Sequence, residues 1–398
     1  MLASTQAGEQ STGSPIGDSR TVLVRYTTAA ALARLADEGS RVALLLAALE
    51  HGRGPAFGGL LVAALMVPHV AAAPLIGALA DRIRHRKPLY LTGLVGYGGA
   101  LAGAVALIGP APWASFVLVV LAGCVAPLLI GGLTSLLGEL APHNPERAFG
   151  LDAMSYGAAG IAGPALVAIV ASAAGAGWAA VAIAAACVIS AGFVAWLPIK
   201  TTVKHEAGHG GGLAALWRSP TLASATAGTS LSQVGLGALP IVAAVLAIQA
   251  HNPALTGIAL SVLAAGNLAG ALAYTARPIR RWQPETQVLI FLAALVVPFA
   301  LLPVLHWTLV LFAVAGFLNG PLFCALLAVR NREAPPAVRT QVFTIGAGLK
   351  VTAAAAGAAL AGFATGLGAG VMLLAVAAVQ LLAAATAAAL LSRRGPRG

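Results

Sequence analysis

Gly77-Ala78-Leu79-Ala80-Asp81-Arg82-Ile83-Arg84-His85-Arg86-Lys87 is the stretch on which the reading of the whole chain turns. Up to Ala80 the residues are small or apolar. From Asp81 to Lys87 one acid is followed by four fixed positive charges, at Arg82, Arg84, Arg86 and Lys87. Apolar sequence lies on both sides, at 55–80 and 88–109. A helix needs ~20 mainly apolar residues to cross a bilayer. The quoted stretch therefore reads as a short basic loop between two membrane spans.

Composition extends this reading to the rest of the chain. Of 398 residues, 59% are hydrophobic and 9% charged, and the mean hydropathy is +0.90. Soluble domains carry about 25% charged residues, so lipid is the solvent for most of this surface. The 47 glycines and the low aromatic content of 6% suit close helix packing, because small residues let backbones approach in a bilayer. Twelve spans are expected, the first at 26–49 and the last at 369–391.

The formal charge of +11 could signal nucleic acid, so its placement decides. Of the 23 Lys and Arg residues, the loops on the far side hold only Arg53, while Arg34, Arg41 and Lys350 fall inside spans. The other nineteen lie in segments on one side, the pattern of cytoplasmic loops. It implies an even span number, both termini in the cytoplasm of an inner (plasma) membrane, and no nucleic-acid partner. Residues 1–20 lack an apolar core, so no cleavable signal is expected. Cys124, Cys187 and Cys324 all lie in apolar spans and read as packing thiols.

The longest polar connection, 199–218, divides the spans six and six. The expected organisation is a polar tail at 1–25, a six-helix half at 26–198, the linker at 199–218, a second half at 219–391 and a basic tail at 392–398. Gly77-Ala78-Leu79-Ala80 recurs 193 residues later as Gly270-Ala271-Leu272-Ala273, before another basic loop. Ala141-Pro142 recurs at the same offset as Ala334-Pro335, with Arg147 and Arg339 following. One offset for several matches suggests duplicated halves, which often enclose a site near the bilayer midplane.

At this point the sequence resembles the major facilitator superfamily. The Gly77–Lys87 stretch is similar to that family's loop 2–3 signature, with Arg84 in place of a second Gly. Gly157, Gly160, Gly163 and Pro164 in span 5 resemble its antiporter-associated Gly-Pro motif, without the usual Gly pair after it. Span 4 lacks the Arg that proton-coupled members often carry. The resemblance implies an all-α membrane fold of twelve helices in two pseudo-symmetric halves. It also implies a cytoplasmic gate at Gly77, Asp81, Arg82 and Arg86 that latches the halves. Asp81 can neutralise the positive end of a neighbouring helix, and Arg82 and Arg86 can pair with carboxylates or lipid phosphates. The alternative is a loop that only sets topology. In the second copy Tyr274 replaces the Asp.

Span 1 carries Arg34, Asp37, Glu38 and Arg41 on one helical face. Each charge costs ~2.5–3.5 kcal/mol at mid-bilayer, so pairing of Arg34 with Glu38 and of Asp37 with Arg41 is expected. Intramembrane ionisable groups face a cavity or the bundle interior, and these four are candidates for substrate binding and proton coupling. Lys350, midway along span 11, has no charged neighbour in its own helix and is expected to seek a span 1 acid. His69, between Pro68 and Pro74 in span 2, titrates near neutral pH when unperturbed; a hydrogen-bonded packing histidine is the alternative. Asp152, Gln233, Asn267 and Asn319 are polar cavity candidates or interhelical hydrogen-bonding groups.

His205-Glu206-Ala207-Gly208-His209 matches the zinc-hydrolase pattern. It lies in the polar linker and runs into Gly210-Gly211-Gly212, where a helix is disfavoured. No metal or cofactor is expected, and no constellation supports an enzyme. The expected function is secondary transport by alternating access, as proton-driven export of a small apolar or amphipathic molecule. Its partners are that molecule, protons and membrane lipid. The alternatives are movement of a polar nutrient or anion on Arg34, Arg41 and Lys350, and a non-transporting sensor or membrane enzyme.

Overall fold

The computed structural model describes residues 19–393 except 143, 200–210, 253 and 306. The segment at 1–18, the His205–His209 motif, Lys200, Lys204, Arg394 and Arg397 lie outside the described residues. Within them the chain is helical, with no strand. The long helices are α1 Ser19–Glu50, α2 Gly54–Arg82, α3 Arg86–Leu107, α4 Pro112–Leu140, α5 Pro145–Ala174 and α6 Ala176–Ala195. After the linker come α7 Pro220–Gln249, α8 Ala254–Ala276, α9 Pro284–Leu301, α10 Thr308–Glu333, α11 Arg339–Phe363 and α12 Gly368–Leu391.

Ten of these, α3 to α12, are long and apolar enough to cross a membrane, and α2 makes eleven when its two arms, bent by 45°, count as one span. The bend falls after His69, four residues before Pro74, whose missing N–H leaves the residue 70 carbonyl without its helical donor. Helix α1 has 32 residues, ample length, but carries its charges in mid-helix. Helix starts follow the sequence. Proline occupies the first turn of α4, α5, α7 and α9, where its missing N–H costs nothing. Asn144 and Ser219 accept from Arg147 N and Leu222 N at 3.4 and 3.3 Å as N-caps.

Two boundaries depart from expectation. The described part of helix α1 starts at Ser19, so the last seven residues of the expected 1–25 tail are helical. A short helix, Gly211–Arg218, occupies the end of the expected linker, and its Gly212 N–H donates to Gln341 Oε1 at 3.0 Å. Helix α4 widens into a π-turn at Leu128–Gly132, directly after Pro127. The Gly132 carbonyl there accepts from Tyr90 OH at 2.9 Å and Ser135 Oγ at 2.6 Å.

All six tryptophans are exposed and sit at helix ends. Trp196, Trp217 and Trp282 lie on the face that carries the linker; Trp113, Trp178 and Trp307 lie on the opposite face. Two aromatic belts flanking an apolar middle are the surface of a membrane protein. The three cysteines are free, Cys187 and Cys324 fully buried.

Two apolar cores form: one lies in the second half, and the other fills the first half and takes in Ala271, Tyr274, Cys324, Leu327 and Phe343 across the boundary. The halves also repeat a tie on the linker face with its charges reversed. Arg86 at the start of α3 pairs with Glu139 at the end of α4 at 2.9 Å. Glu285 at the start of α9 pairs with Arg332 at the end of α10 at 2.6 Å. Within the second half, Gly357 of α11 rests on the Val234 carbonyl of α7, where a Cβ would collide. Gly362, five residues on, has open space around it. Gly357→Val should therefore destabilise the purified protein by about 1–3 kcal/mol in thermal unfolding, while Gly362→Val leaves the midpoint near wild type.

Candidate functional site

Contacts between the halves gather on the linker face. Gly77 lets α2 press on α11, where a Cβ would lie 2.6 Å from Gln341 Cα and strike Thr344 Oγ1. Thr344 Oγ1 donates across the halves to Ala73 O at 2.9 Å, and Ser135 and Thr340 hydroxyls meet at 3.1 Å. Phe149 stacks on Phe343 with ring centroids 6.2 Å apart, and Tyr156 packs edge-on to Phe323 at 5.1 Å. The first turn of α11 points its free N–H groups at Asp81: Thr340 N reaches Oδ1 and Gln341 N reaches Oδ2, each at 3.0 Å. A carboxylate there meets both the orphan donors and the positive helix end. Arg86 stands 3.7 Å from Asp81 and holds Glu139; Arg82 is half-buried beside it. Among the described residues the one non-glycine with positive φ is His251, so Arg84 makes its turn without a glycine conformation.

Further from the linker face, a cavity of about 190 Å³ lies between the halves. The first half contributes Arg34, Asp37, Glu38, Arg41, His69 and Thr134, and the second contributes Gln233, Phe323, Arg330, Phe343 and Lys350. The π-turn of α4 brings Ile130 and Gly131 to the same wall, a common use of such turns at functional sites.

The span 1 charges separate into two groups. Arg34 does not pair with Glu38. It turns to α5 and forms a buried ion pair with Asp152 at 2.7 Å, the two side chains 1% and 0% exposed. Arg34 also donates to the Asp152 carbonyl at 2.9 Å, to Thr134 Oγ1 at 2.8 Å and to Ser155 Oγ. Its guanidinium carbon sits 3.6 Å from the Tyr156 ring centroid. Tyr26 OH and Thr134 Oγ1 complete the Asp152 carboxylate at 2.5 and 3.0 Å. The i,i+4 spacing to Glu38 favoured a local pair, and nothing in sequence spacing ties Arg34 to a residue 118 positions away.

The second group is Asp37, Glu38 and Arg41. Arg41 bridges both acids, at 3.0 Å to Asp37 and 2.8 Å to Glu38, so the Asp37–Arg41 pair forms as its spacing implies. Tyr97 of α3 donates to the other Asp37 oxygen at 3.0 Å and seals it. Glu38 and Arg41 keep about a third of their side chains exposed, at 34% and 32%. His69 Nε2 is buried without a partner.

Lys350 makes no ion pair with a span 1 acid in this conformation; its ammonium lies 4.1 Å from the Phe323 ring centroid. Arg330, one of the nineteen cations that the sequence assigned to the loops of one side, lies in the last turn of α10, is 2% exposed and lines the cavity. Gly346 makes room for its guanidinium, which a Cβ would strike. In span 5, Gly163 packs against Leu35 O and Gly39 N of α1, Gly157 lies near Asn267, and Gly160 faces open space. Helix α5 runs through Pro164 without a break. Asn267 and Asn319 bond each other at 3.0 Å inside the second half.

Residues 26–358 match the Major Facilitator Superfamily. An uncharacterized MFS-type transporter, y4rN, of Sinorhizobium fredii is 29% identical over 362 residues, covering 84% of this chain and 86% of that protein. In three dimensions the chain is similar to a bacterial homologue of the iron transporter ferroportin in an outward-facing state. That match has a TM-score of 0.74 at 16% identity, over 94% of this chain and 100% of the other. It is similar also to the E. coli fucose:proton symporter, with TM-score 0.73, 12% identity and coverage of 92% and 98%. The human organic anion transporter MFSD10 gives 0.71 at 19% identity, covering 93% and 99%.

Removing one partner of a buried ion pair strands the other, at a cost of about 3–5 kcal/mol. Asp152→Ala should therefore lower the thermal midpoint sharply, and Asp152→Asn, which keeps hydrogen-bond acceptance, should recover part of the loss. An Asp152→Ala protein as stable as wild type would contradict this account of Arg34.

Proposed function

The chain belongs to the Major Facilitator Superfamily, and on that premise we propose that this secondary transporter is a proton-driven exporter of a small amphipathic molecule. The linker face is the cytoplasmic face, and both termini are cytoplasmic. The halves, 26–198 and 219–391, rock about the cavity between them.

One observation carries the proton-coupling reading. Asp37 and Glu38 share Arg41 on the cavity wall, and Glu38 is part-exposed there. Protonating a carboxylate removes one of the two negative charges that hold Arg41. The guanidinium, whose Nε has no partner, is then freer to leave the wall, so proton binding on one side of the membrane biases how the halves meet. A proton moves on these side chains without a cofactor. His69, on the same wall, is a candidate relay. The cavity lining of Ile130, Leu327, Phe343 and Val351 suits an apolar body, and the volume falls below the ~300–1,000 Å³ of drug-sized sites, so the cargo is small.

Asp81 is the latch in this reading. It joins the halves while the linker face is shut. The shared fold with an outward-facing ferroportin homologue and with a fucose:proton symporter supports this orientation and ion. The Gly-Pro segment of α5 supports export through the antiporter resemblance. Family membership favours a transporter over an enzyme.

The decisive measurement is flux in proteoliposomes loaded with a panel of small amphipathic dyes. Wild-type flux against a dye gradient should follow an imposed pH gradient, and Glu38→Gln should lose that dependence while downhill flux persists. Wild-type uphill transport by the Asp37→Asn, Glu38→Gln double variant would refute these acids as the coupling site. Separately, Asp81→Asn should open the linker face, raising maleimide labelling of a cysteine at Ser135 severalfold. Unchanged labelling would leave the 82–86 loop as a topology signal.

A further inference from the structure

Four Arg and Lys side chains line the central cavity. Arg34 has Asp152, and Arg41 has Asp37 and Glu38; Arg330 and Lys350 have no such partner. Among the described residues no carboxylate lies within ion-pair distance of Arg330 or Lys350. Both line the central cavity, and both come from the second half. The acids of the described second half, Glu285 and Glu333, lie at the linker-face ends of α9 and α10, where both engage Arg332.

Arg330 presents the sharper case. Its side chain is among the largest fully buried in the molecule, yet Nε and Nη2 have no hydrogen-bond partner. A buried guanidinium without an acceptor is costly, and a native fold keeps such a group where something else completes it. Gly346 clears the space it occupies. Lys350 has the Phe323 ring face at 4.1 Å, which partly compensates a cation but accepts none of its three N–H donors in the ordinary way. The two positive groups on one wall repel each other until an anion comes between them.

We propose that Arg330 and Lys350 form an anion-binding subsite on the second-half wall, and that the transported molecule is a small organic anion with one carboxylate-like head and an apolar body. This rests on the reading of the cavity as a transport site and names its substrate class. The Arg fork takes the head in a directed pair of hydrogen bonds, and Lys350 adds a point charge. Phe323, Leu327, Phe343 and Val351 receive the body. Arg34 takes no part, because Asp152, Thr134 and Ser155 already occupy it. The two cavity cations of the second half therefore read the substrate, and the cavity acids of the first half read the proton. An inside-negative membrane potential also favours expulsion of an anion.

The test uses the purified full-length chain in detergent at pH 7, with benzoate as the probe and benzamide as its neutral counterpart. Inorganic phosphate reports whether charge alone suffices. Benzoate should raise the thermal midpoint saturably, benzamide and phosphate much less. Lys350→Met and Arg330→Gln should each weaken half-saturation by about tenfold or more, the scale of losing one hydrogen bond to a charged group. Lys350→Arg should retain most of the response, which keeps the test valid if a neutral variant folds poorly. Equal shifts with benzoate and benzamide, wild-type benzoate affinity in both neutral variants, or no response to benzoate would each overturn the subsite. A response to phosphate as large as that to benzoate would replace the organic anion by an inorganic one and overturn the substrate class. Binding is read without a gradient. A protein that binds benzoate but shows no proton-coupled flux contradicts the exporter reading alone; one with coupled flux of neutral dyes and no benzoate binding contradicts the subsite alone.

Discussion

A charge inside a bilayer must be paired or face water, and the interior of this protein is arranged around that constraint. Helix α1 brings four charges into the membrane, and their disposition organises the first half. Arg34 is spent on Asp152, which fastens α1 to α5 and, through Thr134, to α4. Gly39 and Gly163 let the same two helices touch backbone to backbone. With Arg34 paired to Asp152, Asp37, Glu38 and Arg41 leave one net negative charge on the cavity wall.

The linker face obeys the same constraint by another means. The four orphan N–H groups at the start of a helix need acceptors. Helix α11 finds one across the boundary between halves, in Asp81, so part of its N-cap belongs to the other half. Closure of this face and completion of that helix are then one event. The small residues Gly77 and Gly131 allow it, since a side chain at either position would meet α11. Separating the halves here leaves Asp81 to Arg86 and the helix end to water, which makes the contact reversible.

Duplication explains what the halves share, and charge explains where they diverge. Both tie their third and fourth helices together at the linker face, with Arg86–Glu139 in one and Glu285–Arg332 in the other. The polarity is reversed, and an ion pair tolerates that because only the product of charges matters. The Asp81 contact is not duplicated: Tyr274 stands where the first half has Asp81, and its hydroxyl donates to Gln287 at 2.8 Å within its own half. The cavity walls diverge most, with acids and a bridging Arg41 on one side and unpaired Arg330 and Lys350 on the other.

The sequence alone determined that lipid is the solvent, which face carries the positive loops, and that short motifs recur about 193 residues apart. These follow from composition and from local periodicity, which a linear chain displays. It also offered Asp37, Glu38, Arg41, His69 and Lys350 as candidates, because position within an apolar span is counted along a helix, and all five line the cavity. The partner of each charge was decided by the tertiary structure. Spacing along α1 offered Glu38 to Arg34, yet a fully buried Asp152 on α5, already held by Tyr26 and Thr134, presents a better-organised acceptor. Arg330 looked like one of several loop cations beyond span 10, and only the packing of its guanidinium against Gly346 shows it turned inward while Arg332 turns to Glu285. Rotation of a helix about its axis is set by the neighbours it packs against, and in an Ala- and Gly-rich membrane sequence the polar periodicity that would reveal it is too sparse to read.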